Sequence, residues 1–186
     1  MKNFTPRILT DRSRLDEIYQ LRVNAYEHSP SSKFINWSIF PNGWKDSLDK
    51  EANHWVIEHE GKIIASSRLC MISNLNIIEE NYHQFGLPVT GNYAFFSRLV
   101  VDSKFRKIGL AHRMDKVRLE FIRANNIELT LAWARKVRLP SLHKLGFKNL
   151  GNMSLTFGTK KEIVSAVLLD CSTLVKEKSL NYGKRK

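Results

Sequence analysis

The period of the apolar positions changes several times along the chain, and each change marks an element. After a short extended run at Pro6–Leu9, residues Leu15, Ile18, Tyr19, Ala25 and Tyr26 recur at helical spacing, and only Arg22 is off the pattern. Ser13 stands where an N-cap belongs, with Asp16 three residues on. Residues 28–53 break the period with Ser-Pro, Pro-Asn-Gly and three aromatics, Trp37, Phe40 and Trp44. They read as a mobile helix–loop segment of the kind that covers substrate sites. Trp55–Glu58, a Glu60-Gly61 turn and Lys62–Ile72 then predict a hairpin. A loop at Ser73–Asn92 leads into Y-A-F-F-S-R-L-V-V, Tyr93–Val101, apolar along nearly its whole length as central strands are.

A second helix follows at once, with Leu110, Met114, Val117, Phe121 and Ala124 on one stripe and Arg113, Lys116, Glu120 and Arg123 facing elsewhere. Ile127–Ala134 reads as a further strand, and Pro140–Leu145 as a short helix closed by Gly146. Weaker strand patterns at Met153–Phe157 and Ile163–Leu169 end the series. The order predicts a mixed α/β sheet with one strand–loop–helix–strand unit at its centre. The expected division is one domain over residues 1–170 and a basic tail over 171–186, where K-E-K-S-L-N-Y-G-K-R-K gathers charge.

Charge sharpens the picture. Thirty basic residues against 18 acidic give +12 and a pI near 9.9, a field that attracts polyanions. A polyphosphate cofactor, an acidic carrier protein, an acidic membrane surface and nucleic acid all fit such a field; any hold on nucleic acid is expected to be non-specific. Two cysteines, Cys70 and Cys171, are too few for a disulfide framework or zinc cluster and read as buried free thiols. The first residues lack the apolar core of a signal peptide, and no run reaches the length of a membrane span. The expectation is a cytoplasmic protein without a membrane span.

The chemistry concentrates in S-R-L-V-V-D-S-K-F-R-K-I-G-L-A, Ser97–Ala111. A strand ends, a short loop carries Arg106, Lys107 and Gly109, and a helix opens. Successive amides at a helix N-terminus favour an anion, and Gly109 lets the backbone approach one without a Cβ. The loop is either a pyrophosphate cradle or an ordinary strand–helix turn. It is neither a Walker loop nor a dinucleotide fingerprint, since both need more glycines at fixed offsets. Arg98, inside an apolar strand, is either paired with an acid or aimed at a substrate carboxylate. Trp37, Phe40 and Trp44 either line an acyl or acceptor pocket or simply cover the core.

Leu99–Ala111 resembles the signature of the GNAT N-acyltransferase superfamily: an apolar strand, a turn, then Arg/Gln-x-x-Gly-x-Gly/Ala opening a helix. H-K-L-G-F, His143–Phe147, is similar to the end of that family's next conserved block, at the right separation. The resemblance implies a single-domain, mostly antiparallel mixed sheet flanked by helices, with a splayed central strand pair. It implies acetyl-CoA or another acyl-CoA as donor, an amine acceptor, and no metal. Carried over by position, the backbone of Leu99 and Val101 would pair with the pantetheine arm. The amides of Lys107, Gly109, Leu110 and Ala111 would hold the pyrophosphate, helped by Arg106, and the splay between Val101 and Ile127 would admit the thioester.

The departures bear on mechanism. Where many members carry a tyrosine that protonates the leaving thiolate, this chain has Leu142; the asparagine often seven residues earlier is Arg135, and the usual central-strand glutamate is absent. Tyr93, Ser97 and Arg98 are the remaining candidates for catalytic roles, with His143 beside the tyrosine slot. Ser97-Arg98-Leu99 and the helix Leu15–Arg22 are also similar to acyl-homoserine-lactone and N-acyl amino acid synthases, which take long-chain donors often carried on acyl carrier protein. Phe95 stands where those enzymes commonly have a glutamate. A third class is a non-catalytic basic binding module on the same scaffold.

Overall fold

A computed structural model describes residues 4–78, 82–157 and 160–172. Seven strands form one sheet: β1 (Arg7–Ile8), β2 (Asn53–His59), β3 (Lys62–Asn74), β4 (Thr90–Val101), β5 (Leu129–Ala134), β6 (Lys148–Phe157) and β7 (Lys160–Asp170). Their order is β1-β2-β3-β4-β5-β7-β6, mostly antiparallel with one parallel pair, and helices flank the sheet. The helices are α1 (Leu15–Glu27), α2 (Leu110–Ala124) and α3 (Leu139–Lys144). A helix that carries the chain back before the next strand makes the neighbouring strands parallel, and α2 does this between β4 and β5. The mixed, mostly antiparallel α/β architecture expected from the sequence is therefore present. The basic tail lies outside the described residues from residue 173 onward.

The chain divides into two compact units. The first takes the chain up to Cys70, then Phe96–Arg118 and Ser154–Glu162; the second takes Met71–Phe95, Leu119–Met153 and the chain from Ile163. In the first, α1 buries Ile18, Tyr19, Leu21 and Ala25 against Leu9, Val56, Ile63 and Val100. Ile18, Tyr19 and Ala25 are periodic positions of the sequence, as amphipathic packing requires; Leu21 is not among them, and the periodic Leu15 and Tyr26 pack against the cluster only partly buried. In the second, β5 pairs antiparallel with β7 from Leu129↔Asp170 to Ala134↔Ser165. Phe95 packs on Trp133 with ring centroids 4.8 Å apart, and the Cys171 thiol sits 3.2 Å from the Thr130 hydroxyl. Both cysteines are free and buried, and burial pushes the Cys70 thiol up to about 11.

Several local expectations need correction. Ser13 is not the cap of α1: Arg12–Arg14 is a separate 3₁₀ turn capped by Asp11, whose carboxylate accepts from the Ser13 amide. Between α1 and β2 the chain is not uniformly irregular but makes three 3₁₀ turns, Pro30–Phe34, Trp37–Ile39 and Ser47–Asp49. Along α2 the buried face is Leu110, Met114, Asp115, Arg118, Leu119 and Ile122, whereas Val117 and Phe121 are half-buried and Ala124 is exposed. The stripe is rotated because Asp115 and Arg118 pair with each other at 2.6 Å and so can be buried together.

Candidate active site

The first unit carries two polar constructions. One is the loop from Asp102 to Gly109 between β4 and α2. Ser103–Phe105 forms a 3₁₀ turn in which the Asp102 carboxylate accepts from the Lys104 amide. Lys107 and Gly109 both lie in the left-handed region, at φ +66° and +84°. Alternation of that kind turns successive amides toward one side, making a concavity for an anion. At the start of α2 the Arg113 amide bonds the Gly109 carbonyl at 3.2 Å, so the amides before Arg113 are the ones a helix start leaves without helical partners. A Cβ built on Gly109 would meet nothing within 4 Å, so there is open space for a ligand in front of the backbone. Lys107, Ile108 and Gly109 are exposed and Ala111 is half-buried, whereas Leu110 is buried into the helix packing.

The second construction is a chain of buried charges. Arg22 on α1 makes a two-pronged pair with Asp49, 2.8 Å on each side. Asp49 also accepts from Arg68 on β3 at 2.9 Å and from the Asp46 amide at 3.0 Å. Arg68 reaches on to Asp46, and Asp46 accepts from Arg98 on β4 at 2.6 Å. The inner members Arg22, Asp49 and Arg68 have side chains only 1–2% exposed, whereas Arg98 and Asp46 are 13% and 28% exposed. Burial alone would raise the Asp49 carboxyl, but Arg22 and Arg68 hold it well below the usual carboxylate range. Asp46 is likewise held low against its burial by Arg98 and Arg68. His54 on β2 closes the inner end: its Nε2 lies 3.1 Å from the Asp49 carbonyl, and burial, with Arg22 and Arg68 adding to it, pushes the ring down to about 4. His54 Nδ1 has no hydrogen-bond partner among the described residues.

Local geometry explains why these residues meet. Asp46 caps the 3₁₀ turn Ser47–Asp49 and receives the Asp49 side chain back on its own amide, which aims both carboxylates inward. Gly43, at φ +91°, lets the chain come so close to Tyr19 that an added Cβ would lie 2.7 Å from the Tyr19 Cβ; the next amide, Trp44, then bonds the Tyr19 carbonyl. Trp44 is buried under the Arg98 guanidinium, 4.4 Å from its ring centroid, and against Tyr26 and Phe40. Arg98 itself has φ +52° in the middle of β4, a strained setting for a long side chain that the ion pair and the ring hold in place.

The expected site residues are distributed as follows. Arg98 is paired with an acid, Asp46. The Ser97 hydroxyl accepts from Arg68 Nε at 2.9 Å and keeps its own hydrogen to donate. Tyr93 belongs to the second unit; its hydroxyl donates to the Pro88 carbonyl at 2.8 Å, and burial, with a lesser effect of Glu128, raises its pKa. Leu99 and Val101 are half-buried, and the Val101 carbonyl accepts from Arg106 at 3.2 Å. Arg106 is turned to main-chain carbonyls, with Ala25 at 2.6 Å and His28 at 3.0 Å as its other partners. Leu142 is buried and His143 exposed.

Sequence reading did not single out Asp46, Asp49 or Arg68. The available signal was indirect: isolated arginines inside apolar runs, Arg22, Arg68 and Arg98, demand anions from elsewhere in the chain. Among the described residues no group of three or more His, Cys, Asp or Glu side chains is arranged to hold a metal, and no helix is long and apolar enough to cross a membrane.

Comparison with known proteins adds an independent line. Residues 13–147 match the model of the acetyltransferase (GNAT) family. Among curated proteins none matches the sequence. The fold is similar to that of FeeM, an N-acyl amino acid synthase from uncultured soil microbes, with a TM-score of 0.67 at 14% identity over 91% of this chain and 92% of that one. BjaI, a coenzyme A-dependent acyl-homoserine lactone synthase solved with SAM and isopentyl-CoA, also gives 0.67, at 15% identity over 99% and 92%. YncA from Salmonella typhimurium, solved with its cofactor acetyl-CoA, gives 0.59 at 14% identity over 91% and 94%. At such identities these structures speak for the fold.

Proposed function

The chain belongs to the acetyltransferase (GNAT) family, and on that premise we propose that it is an N-acyltransferase that draws its acyl group from a coenzyme A thioester and delivers it to an amine. The observation that carries the reading is the 102–109 loop. Two left-handed residues and an open space before Gly109 stand at the start of a 15-residue helix, which suits a pyrophosphate. The amides of Lys107, Gly109, Leu110 and Ala111 are assigned to that anion, and the exposed Lys107 adds charge. The backbone of Leu99 and Val101 is assigned to the pantetheine arm, in the manner of an added strand.

The thioester supplies an electrophilic carbonyl and a thiol leaving group whose pKa is roughly 8.5 by analogy with cysteine. The chain's part is then to hold and orient, which by itself contributes much of the acceleration of a two-substrate reaction. Ser97 is the candidate donor near the reacting atoms, because Arg68 fixes its oxygen and leaves its hydrogen to give. Tyr93 is a poorer acid in its buried setting and is already engaged with Pro88.

The test is calorimetry with coenzyme A. Wild type should bind, and Gly109→Trp should not, because the indole would fill the space in front of the loop. The variant should still fold, at a cost of about 1 to 2 kcal/mol for a side chain in the left-handed region. Undiminished affinity in a folded Gly109→Trp protein would remove the cradle.

One observation favours a second reading within the same family. Arg98 and Asp46 form the exposed end of the charge network, and together they complement the carboxylate and ammonium of a zwitterion. An amino-acid-like acceptor with a long-chain donor on acyl carrier protein would use that pair, as an N-acyl amino acid synthase such as FeeM makes the corresponding class of product. Mass spectrometry of products formed from amino acids with acetyl-CoA, and with a long-chain acyl carrier protein, separates the two.

A further inference from the structure

Arg106 begins the Arg-x-x-Gly pattern of the anion loop, yet its guanidinium is engaged by main-chain carbonyls outside the 102–109 loop. Three of the five N–H groups of an arginine are committed here to main-chain carbonyls: Nε to Val101 at 3.2 Å, Nη1 to His28 at 3.0 Å and Nη2 to Ala25 at 2.6 Å. Ala25 and His28 belong to the C-terminal turn of α1 and its cap. That turn has no basic residue of its own, and a cation there is favoured by the helix dipole. Arg106 supplies it from 78 residues away, and so fastens the end of β4 and the anion loop to α1.

The same turn of α1 leads into the charge network. Arg22, one turn earlier, holds Asp49 and the Trp44 carbonyl, the latter at 3.0 Å. The Tyr26 ring, between Ala25 and His28 in sequence, lies 4.8 Å from the Trp44 ring, and Trp44 carries Arg98. An unbroken series of contacts within the first unit therefore runs from the loop through Arg106 to α1, Trp44 and the Arg98–Asp46 pair.

We propose that Arg106 is a positioning residue that clamps the anion loop to the last turn of α1, so that an anion held in the loop orders the Trp44–Arg98–Asp46 side of the site. Coupling of this kind runs through an element that both sites bias. Here that element is the α1 turn with residues 44–49. The proposal rests on the acyltransferase reading only for the identity of the anion.

Hydrogen–deuterium exchange of the full chain, with coenzyme A and separately with inorganic pyrophosphate, tests it. In wild type either anion should slow exchange both in residues 107–112 and in residues 24–28 and 44–49. Arg106→Gln should bind coenzyme A within about threefold of wild type by calorimetry yet slow exchange only in 107–112, since a coupling is lost while the binding amides stay. Arg106→Lys, which keeps the charge but not the three-pronged geometry, serves if the glutamine variant does not fold, and should behave in the same way. Protection of 24–28 and 44–49 that persists in a variant, its absence in anion-bound wild type, or a loss of affinity beyond about tenfold would each overturn the clamp; the last would make Arg106 a direct phosphate ligand. Pyrophosphate binding with full protection but no coenzyme A binding would sink the acyltransferase reading and leave the clamp standing. Failure of both anions to bind would sink both.

Discussion

The anion loop and the charge network of the first unit answer the same problem, polar groups in a folded protein, in opposite ways. In the loop the polar groups are main-chain amides held by local turns, and the side chains around them, Lys107 and Ile108, are exposed. In the network the polar groups are long side chains from α1, β3 and β4 that meet two carboxylates of one short turn, nearly out of contact with water. On the proposed reading the loop offers its main-chain amides to an anion. The network matches three guanidinium groups with two carboxylates and needs little from outside, except at the Arg98–Asp46 end. On that reading a chain of net charge +12 separates charge that holds the fold from charge that is offered to a ligand.

Breaking the network should cost far more than altering the loop. Asp49 takes four hydrogen bonds, from Arg22 twice, Arg68 and the Asp46 amide. Asp49→Asn removes the charge and places an amide NH₂ against a guanidinium. Two buried cations then lack their shared anion, a loss expected at about 3 to 5 kcal/mol. Urea denaturation measures it directly. A change below about 1 kcal/mol would show that the network contributes little to stability, as exposed ion pairs do.

Acid probes the inner end of the network more gently. His54 titrates near 4 in the fold against an ordinary value of 6.5, so the unfolded chain takes up the proton first. Stability should be complete above about pH 6.5 and fall as pH drops toward 4, by about 3 kcal/mol in all. The groups facing the ring are Asp49, Arg22 and Arg68. Asp46 and Asp49, held below the usual carboxylate range, give stability that is lost only at lower pH, so the two windows are separate. His54→Gln can keep the donor to the Asp49 carbonyl and should flatten the slope between pH 4 and 6.5. Denaturation curves with the same slope in both proteins would assign the acid sensitivity elsewhere.

The same contrast explains what was legible beforehand. A site made of backbone is written locally: an apolar strand, basic residues, Gly109 and a helix start stand within 15 residues of Ser97–Ala111. A site made of side chains is written only in pieces. Arg22 stood out against a helical stripe and Arg98 against a strand, but Arg68 lay in a hairpin strand and both aspartates in a segment without a period. Sequence pattern tells that an arginine in an apolar run needs an anion, not which one. The stripe of α2 failed for the same reason, since Asp115 and Arg118 look like surface charges until Arg118 is seen to reach both Asp115 and the Arg68 carbonyl. In the turn before β2 the capping residue, Asp46, also serves as the outer anion.

The smallest expected effects lie in the second unit, on the two residues closest in kind to the missing acid. Leu142 fills the slot where related enzymes carry a tyrosine, and its buried aliphatic side chain cannot give a proton. Tyr93 offers a hydroxyl, but that hydroxyl is bonded to Pro88 and its proton is held more tightly than usual by burial. Using it as an acid would mean breaking a neutral hydrogen bond worth about 1 kcal/mol and then ionising a phenol in an apolar setting. His143 is exposed at the end of α3. A thiolate that leaves at a pKa of roughly 8.5 can take its proton from water, so neither group is required. Tyr93→Phe and His143→Ala should each lower kcat by less than about tenfold, short of the hundredfold or more that loss of a positioned acid brings. For Tyr93→Phe a stability loss of about 1 kcal/mol should accompany the change, from the freed Pro88 carbonyl. Steady-state kinetics with the acceptor found by product mass spectrometry, together with denaturation of the same variants, reads both quantities. A hundredfold fall in kcat in a variant that still folds would place the proton donor in the second unit after all and remove Ser97 from that role.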